Sequence, residues 1–500
     1  MTYDCAVIGA GLSGLASAII LSKNGLKTAL IEKSSRTAPL VRGFKREGHY
    51  FDTGFHHAGG INEGSTGRLM LDYLGISQHL NVVSSNSNYT DMVRFRDSSF
   101  EFRFPVGIKQ LKDRLEQFFP GDINFINRYI NEINRQCSLL PFLNLNADIK
   151  TMNILENVHG NSLADFLSHN TDNPYLQSVL TIHSLLNGVP PGEQGLNNYA
   201  YIVGPYYESV SYIEGGGSAL VAAYEKAAKE NGVDIFLNRE AQKLIFSSSG
   251  ELKGTGFKDG AEINAKNIIS TIHPSQLMNI VPENLFRPSY NKRIKTLDET
   301  PSAFILYGTS EIDLKRLIGS NLYLVPADGN NFGDFSNPIE NRPINIIISN
   351  ADKKENIFQC IFIMICPASI NEVEQWGNSI RGKRPQGYLE FKDNICRRML
   401  DYFVSYYPEL KGKIHAVDFS TPLTLKDYSG SPFGSMYGAK HRIEQYNPFP
   451  MTSIKGLYLA GQSIVAPGLL GTLISAFLAC GNILGHDYLR GALKVWNQEE

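Results

Sequence analysis

Tyr3-Asp4-Cys5-Ala6-Val7-Ile8-Gly9-Ala10-Gly11-Leu12-Ser13-Gly14, continued through Thr28-Ala29-Leu30-Ile31-Glu32-Lys33, decides how the rest of the chain is read. A short apolar run ends in Gly9-x-Gly11-x-x-Gly14. A helical pattern from Leu12 to Lys23 follows and stops at Asn24-Gly25, and a second apolar run ends in Glu32. Strand, glycine turn, helix and strand in this order form a βαβ unit carrying the dinucleotide fingerprint. Gly9 makes the tight turn, Gly11 lets a pyrophosphate approach the backbone, and Gly14 lets the helix pack on the strand. The free N–H groups and positive dipole end at the helix start favour phosphate. Glu32, eighteen residues past Gly14, is placed to accept ribose hydroxyls. A carboxylate there disfavours a 2′-phosphate, so the expected nucleotide is FAD or NAD and not NADP. Ser13 within the fingerprint and Lys33 after Glu32 are counted with the cofactor-binding residues. The fingerprint begins at residue 9, so no targeting segment is expected ahead of it.

Five hundred residues suggest about three domains by length, although interleaved α/β chains make two from such a length. Apolar residues at 42% and charged residues at 19% describe an ordinary globular chain with material for a large core. A net charge of −2 gives no electrostatic case for nucleic acid. The six cysteines, Cys5, Cys137, Cys360, Cys366, Cys396 and Cys480, are scattered, with no CxxC pair and no histidine-rich cluster. They read as buried thiols in a reducing, cytoplasmic compartment, with no metal site. Leu457 to Cys480 is long, uncharged and mostly apolar. Pro467 interrupts it and Gly461, Gly468 and Gly471 punctuate it, so a flavin-binding strand, turn and helix explain it better than a membrane span does.

After Glu32 comes Arg42-Gly43-Phe44, followed by Phe51-Asp52-Thr53-Gly54-Phe55-His56-His57. With Arg42, Phe44, Phe51, Asp52, Gly54 and His56 in this pattern, the sequence resembles the phytoene desaturase branch of the FAD-dependent amine oxidase superfamily. It departs from that branch where Ala38-Pro39 stands in place of a Gly-Gly pair. Proline has no N–H to offer a phosphate, which leaves Arg42 as the candidate partner in this stretch, with Gly54 also counted among the cofactor-binding residues.

Between about 81 and 205 helical patterns dominate, for example Ile108 to Phe119, ended by Pro120-Gly121. This region reads as an inserted substrate-side domain. Its end, Tyr199-Ala200-Tyr201 through Tyr206-Tyr207, with Tyr212 to Ser218, resembles the retinol saturase and carotenoid isomerase members of the branch. Ala219 to Glu230 then reads as a helix, Val233 to Leu237 as a strand, and Glu240 to Phe246, Leu252 to Phe257 and Ala261 to Ile269 as strands around turns. The resemblance places Ala241 beside the adenine. His273, in the run that returns the chain to the cofactor, reads as structural. Further strands are expected at Ala303 to Tyr307, Ile344 to Ile348 and Ile357 to Ile365, and a helix at Gly387 to Tyr407. Alternation in these strands suggests an antiparallel sheet with one face covered.

The last segment resembles the saturase and isomerase group again, at Ser420 to Tyr428 and Ser431 to Gly438. Gly456 to Gln462 is then a strand ending in a turn, and Gly468-Leu469-Leu470-Gly471-Thr472 opens a closing helix. In the superfamily these elements hold the ribityl chain and isoalloxazine, so Gly461, Gln462, Leu470, Gly471 and Thr472 are expected at the cofactor. A helix start suits that place, because reduced flavin carries negative charge that free N–H groups and the dipole stabilise.

The expected fold class is α/β: an FAD-binding Rossmann-like domain of glutathione-reductase type, with an interleaved α+β substrate domain. The expected division is 1–80, 206–275 and 416–500 for the FAD domain, and 81–205 and 276–415 for the substrate domain. The resemblance implies an FAD-dependent oxidoreductase acting on C=C or CH–CH bonds of a hydrophobic polyene or isoprenoid, as desaturase, saturase or isomerase. Such chemistry rests mainly on holding a carbon against the flavin. His56, Tyr199 and Tyr437 are the candidates to line the flavin's substrate face. A single βαβ fingerprint leaves no second nicotinamide site, so a quinone, oxygen or a protein carrier is the expected electron partner. The substrate is expected to arrive from a membrane surface by peripheral contact; Phe and Tyr (27 and 24, against two Trp) are the candidates to line its tunnel. Two alternatives stand: a flavin amine oxidase, which usually has an acidic residue where Gln462 follows Ala460-Gly461, and a non-catalytic carrier of prenylated proteins with the same fold.

Overall fold

The first strand, Thr2–Ile8, lies at the centre of a seven-stranded sheet because its residues are apolar on both faces. Parallel partners flank it, Thr28–Ile31 on one side and Glu262–Ser270 on the other. Asp234–Phe236 extends the sheet beyond Thr28–Ile31. On the opposite side Leu252–Phe257 and Ala241–Phe246 add antiparallel strands, while Leu457–Leu459 pairs in parallel with the end of Glu262–Ser270. The helix Leu12–Lys23 is buried from Leu12 to Leu21. It packs against the helices Gly216–Glu230 and Gly468–Leu484, which explains the apolar Leu457 to Cys480 stretch as buried strand, turn and helix. The structure, a computed structural model, describes residues 1–84, 89–96, 98–148, 160–326, 333–350 and 359–496. Among these no helix is long and apolar enough to cross a membrane.

A second seven-stranded sheet runs in the order Ile414–Ser420, Ser302–Ser310, Cys360–Ala368, Ile344–Asn350, Asn321–Val325, Asp91–Phe95, Glu101–Phe104. Its neighbours are antiparallel except for Asn321–Val325 and Asp91–Phe95. Strands from before and after residue 206 therefore share one sheet. The expected one-sided burial is corrected here: every residue of Ser302–Ser310 is buried. Phe304 and Leu306 pack with Phe362, Met364 and the helix Gln386–Tyr406 on one face. Ala303, Ile305 and Tyr307 pack with Phe51 on the other. Each fully buried phenylalanine contributes about 1.5–3 kcal/mol, so covering the second face is favourable as well as sterically possible.

The expected boundaries at 205/206, 275/276 and 415/416 fall inside the helix Leu196–Glu208, the short helix Pro274–Met278 and the strand Ile414–Ser420. Glycines and composition do not mark these crossings because the chain passes between the sheets without a linker. Of the expected strand Ile357 to Ile365, residues 357 and 358 lie outside the described residues, and the strand observed is Cys360–Ala368.

Candidate nucleotide cradle and adjoining cavity

The fingerprint turn has the geometry its sequence predicts. Gly9 takes φ +100, which glycine alone adopts freely. A Cβ on Gly14 would collide with the Gly9 carbonyl, whereas the space beside Gly11 is open. The Leu12–Lys23 helix has no side-chain cap at its start, so its first N–H groups remain available to an anion. Ser13 is buried and its hydroxyl has no partner. Glu32 is 8% exposed; its Oε2 accepts the Ala10 N–H at 2.8 Å and its Oε1 the Ser34 N–H at 2.8 Å. An ionised carboxylate has about four lone-pair sites, so Glu32 fastens the turn and still has acceptor capacity for a ribose. Arg239 N–H donates to the Glu32 carbonyl at 2.8 Å, bringing the strand that opens at Ala241 to the same end of the cradle. Lys33 is exposed, with Nζ 2.9 Å from where a Gly430 Cβ would stand. An open approach at Gly11, an orphaned buried hydroxyl at Ser13 and uncapped N–H groups fit a dinucleotide.

The closing segment is fastened to this turn. The Thr271 hydroxyl donates to the carbonyls of Ile8 and Gly9 at 3.1 and 3.0 Å, and a Gly461 Cβ would lie 3.4 Å from the Thr271 carbonyl. Gly461 has φ +113, and its N–H donates to Ser475 Oγ at 2.8 Å. Gly471 is buried against the Ala466 carbonyl, which leaves no room for a Cβ. Beside this helix start lies a cavity of about 230 Å³ walled by Gly468 to Gly471, Ile464, Ile474, His57, Asn187, Tyr201, Tyr206, Tyr437 and His441. Leu470 lines it and packs on Gly60 and Gly67. Thr472 and Gln462 are not among its lining residues; the Thr472 hydroxyl donates to the Leu469 carbonyl at 2.8 Å.

Of the three candidate wall residues, Tyr437 alone lines the cavity. Its hydroxyl donates to the Leu185 carbonyl at 3.3 Å, and burial pushes its pKa up to about 12. Tyr199 is fully buried in the core beside Tyr129, and its hydroxyl donates to the Leu180 carbonyl at 2.5 Å. The wall instead takes Asn198, Tyr201, Ile202 and Pro205, which share one helix face at i, i+3, i+4 and i+7, about 100° away from Tyr199. His56 is also absent from the wall, where the next residue, His57, stands. Residue 56 lies in a bend just ahead of the strand Ala58–Gly59, and motif spacing does not say which of two adjacent histidines turns to the cavity. Burial, together with the neighbouring His57, lowers His56 to about 3.

Arg42 is engaged within the protein. Its Nε donates to the Thr37 carbonyl at 2.8 Å, its Nη2 donates to Thr37 Oγ1 at 3.0 Å, and the guanidinium pairs with Glu225. It thus ties the 37–42 loop to the Gly216–Glu230 helix. In that loop Ala38 takes φ +39, the left-handed backbone that the branch supplies with glycine, and its N–H donates to the Ala10 carbonyl at 2.8 Å. Gly54 is needed where a Cβ would come within 2.6 Å of the Leu40 carbonyl. Asp52 accepts the Gly217 N–H at 2.7 Å and the Tyr50 hydroxyl at 2.9 Å, securing the start of the Gly216–Glu230 helix. His273 caps its own short helix, accepting the Ser275 N–H at 3.2 Å.

Sequence reading missed His441, which no motif marks. Its Nε2 donates to the Gln462 carbonyl at 2.9 Å and its Nδ1 accepts from Asn447 at 3.0 Å. Burial lowers its pKa against the pull of the Gln462 carbonyl.

A two-ended cradle of this kind on an α/β fold with a second sheet beside it defines an FAD-dependent oxidoreductase. Residues 12–322, more than half of the chain, match the family described as flavin containing amine oxidoreductase, and the chain belongs to that family. It is similar to human all-trans-retinol 13,14-reductase, at 27% identity over 523 residues, covering 96% of this chain and 85% of that protein. It is similar to the 4,4′-diapophytoene desaturase (4,4′-diaponeurosporene-forming) of Staphylococcus aureus, at 22% identity over 503 residues, covering 92% and 94%. These relatives match the phytoene desaturase and retinol saturase branch. An oxidoreductase from Methanosarcina mazei shares the fold, with a TM-score of 0.63 at 17% identity over 95% of this chain and 99% of that one. FAD, when bound, supplies a two-electron hydride acceptor or donor.

Proposed function

We propose that this chain adds hydrogen to, removes it from, or isomerises a C=C bond in a long apolar polyene or isoprenoid. The observation that carries this reading is the cavity wall, where Tyr437, Tyr206, Ile464, Leu470 and Ile474 meet the start of the Gly468–Leu484 helix. The names of the human and staphylococcal relatives support a retinoid or carotenoid substrate class. Gly9, Gly11, Ser13, Gly14, Glu32 and Ala241 are proposed to hold the adenosine and pyrophosphate, with Lys33 near the ribose. Gly461, Gln462, Leu470, Gly471 and Thr472 are proposed to hold the ribityl chain and ring. The two sheets are proposed as FAD and substrate domains, with junctions at the helices and strand named above. Peripheral contact with a membrane, reached from the cytoplasm, supplies the substrate in this reading, and a quinone, oxygen or a protein carrier exchanges the electrons.

The test is turnover of retinoid and carotenoid substrates in liposomes, with and without oxygen, against a panel of primary and secondary amines. Conversion of a polyene with no amine oxidation is expected. Amine oxidation with every polyene unchanged overturns the reading in favour of an amine oxidase. A purified protein without the yellow absorbance of oxidised flavin favours the prenyl-protein carrier.

A further inference from the structure

Behind the cavity wall lies a buried polar chain that runs from the second seven-stranded sheet to His57. Asp91 opens the strand Asp91–Phe95 and is fully buried, as is His183. One Asp91 oxygen accepts from His183 Nε2 at 2.8 Å; the other accepts from the Tyr206 hydroxyl at 3.0 Å and from Asn321 at 2.5 Å. The Tyr206 oxygen in turn lies 3.1 Å from His57 Nε2. Tyr206 and His57 belong to the cavity wall, while Asp91, His183 and Asn321 stand behind it.

Proton counting along this chain assigns the tautomer of His57. Burial alone raises the Asp91 carboxyl, but the hydrogen bond and charge of His183, with His57 and Asn321, hold it below its ordinary value. Asp91 is therefore an acceptor only, and the single Tyr206 proton is committed to it. The Tyr206 oxygen can only accept from His57, so His57 carries its proton on Nε2. Its Nδ1 then presents a lone pair, and that nitrogen is buried with no partner. His441, which also lines the cavity, has no such opening, because both of its nitrogens are engaged.

We propose that His57 Nδ1 is the proton port of the cavity, and that Tyr206, Asp91 and His183 are positioning residues: Tyr206 fixes its tautomer, Asp91 offsets its charge when it is protonated, and His183 holds the Asp91 carboxylate in place. The proposal rests on the C=C reading above, since adding or removing hydrogen across such a bond requires a proton as well as a hydride. In dehydrogenation the C–H bond at one carbon would break with its electron pair, which FAD, when bound, would take up as hydride. The C–H bond at the neighbouring carbon gives its proton to His57 Nδ1, and its electron pair forms the new C=C bond. In hydrogenation the same imidazolium returns the proton, and the hydride comes from the reduced flavin. One buried carboxylate, direct to His183 and relayed by Tyr206 to His57, offsets the positive charge, following the logic by which an aspartate orients a catalytic imidazole.

The groups that face His57 set its basicity. Tyr206 and Tyr212 stand with ring centroids at 5.6 and 5.9 Å, His56 precedes it in the chain, and Asp91 and His183 act through charge. Burial holds His57 below its ordinary value, Asp91 opposes this, and His183 adds to it. The resting ring is thus neutral and ready to accept.

The test uses the full-length, FAD-loaded protein with ¹⁵N-labelled histidine, and His57→Gln to assign the signal. A neutral Nε2–H ring for His57 is expected in the absence of substrate. In Tyr206→Phe, which keeps the aromatic packing, a mixture of tautomers is expected. In Asp91→Asn the pH at which His57 protonates should fall; if that variant does not fold, the Tyr206→Phe signal carries the same test. His57→Gln should lower polyene turnover about 100-fold or more at unchanged flavin content and melting temperature. A Nδ1–H ring in the wild type, or turnover in His57→Gln within a few-fold of wild type, overturns the relay. Amine turnover in place of polyene turnover overturns the proposed function and the carbon-proton assignment with it, whereas polyene turnover with the wrong tautomer overturns the relay alone.

Discussion

The nucleotide cradle and the cavity wall beside it are built from opposite kinds of chain. Gly9, Gly11, Ser13, Gly14 and Glu32 lie in one continuous βαβ unit whose hydrogen bonds close over short separations, as from Ala10 to Glu32. The wall draws His57, Tyr206, Tyr437, His441 and Leu470 from segments spread across the chain, with Tyr206 meeting His57 across 149 positions and Tyr437 meeting Leu185 across 252. Phosphate needs backbone N–H groups and a close approach, which a short glycine motif supplies by itself. An apolar substrate needs shape, and shape comes from packing.

If the cradle depends on local close approach, Gly14→Val should have the largest effect. Its side chain meets the Gly9 carbonyl, and forcing helix from strand should cost about 3 kcal/mol and prevent flavin retention. Denaturant unfolding and the flavin-to-protein absorbance ratio measure both; a variant that loads FAD like wild type would break the local account. Glu32→Ala should follow, since a charge-assisted hydrogen bond is worth about 1.5–3 kcal/mol. Because Ala10 and Ser34 lose their acceptor, the flavin-free protein should be destabilised as well as the loaded one. Destabilisation of the loaded form alone would assign the carboxylate to the ribose only.

At the junction of the two regions, Gly471→Val should lower the flavin reduction potential by displacing the helix start, a change of about 1 kcal/mol in dipole stabilisation. Potentiometric titration of the folded, loaded variant measures it, and an unchanged potential places the ring elsewhere. On the wall, Tyr437→Phe removes one hydrogen bond, worth about 0.5–1.5 kcal/mol. It should alter substrate affinity a few-fold and leave flavin binding unchanged, so an effect on flavin loading would merge the two regions. The smallest effect is expected for Ala38→Gly. Relief of the positive φ outweighs the added unfolded-state entropy by less than about 1 kcal/mol, a slight rise in melting temperature.

Legibility in the sequence followed the range of the interaction. The helix Leu12–Lys23 was expected and observed at the same limits, because apolar periodicity and a terminal Asn-Gly are local signals. The helix expected from Gly387 to Tyr407 is found one residue earlier, at Gln386–Tyr406. The pairing of Arg42 with Glu225, 183 positions away, has no local signal in the sequence. Tyr199 was drawn from the correct helix but from the wrong face. The motif ends on His56, whereas the residue that meets Tyr206 is its neighbour His57, a choice made by packing.

The glycine turn with its Glu32 contacts, the parallel sheet around the first strand and the flavoprotein class were legible in the residues alone, because glycines at fixed spacing and a terminal carboxylate act through neighbouring backbone. What only the tertiary structure decided is the cavity wall, the two-sided burial of the second sheet and the buried chain from His57 to Asp91. Those features exist only where segments hundreds of residues apart are packed together, and packing, not local propensity, chooses which face of each element they share.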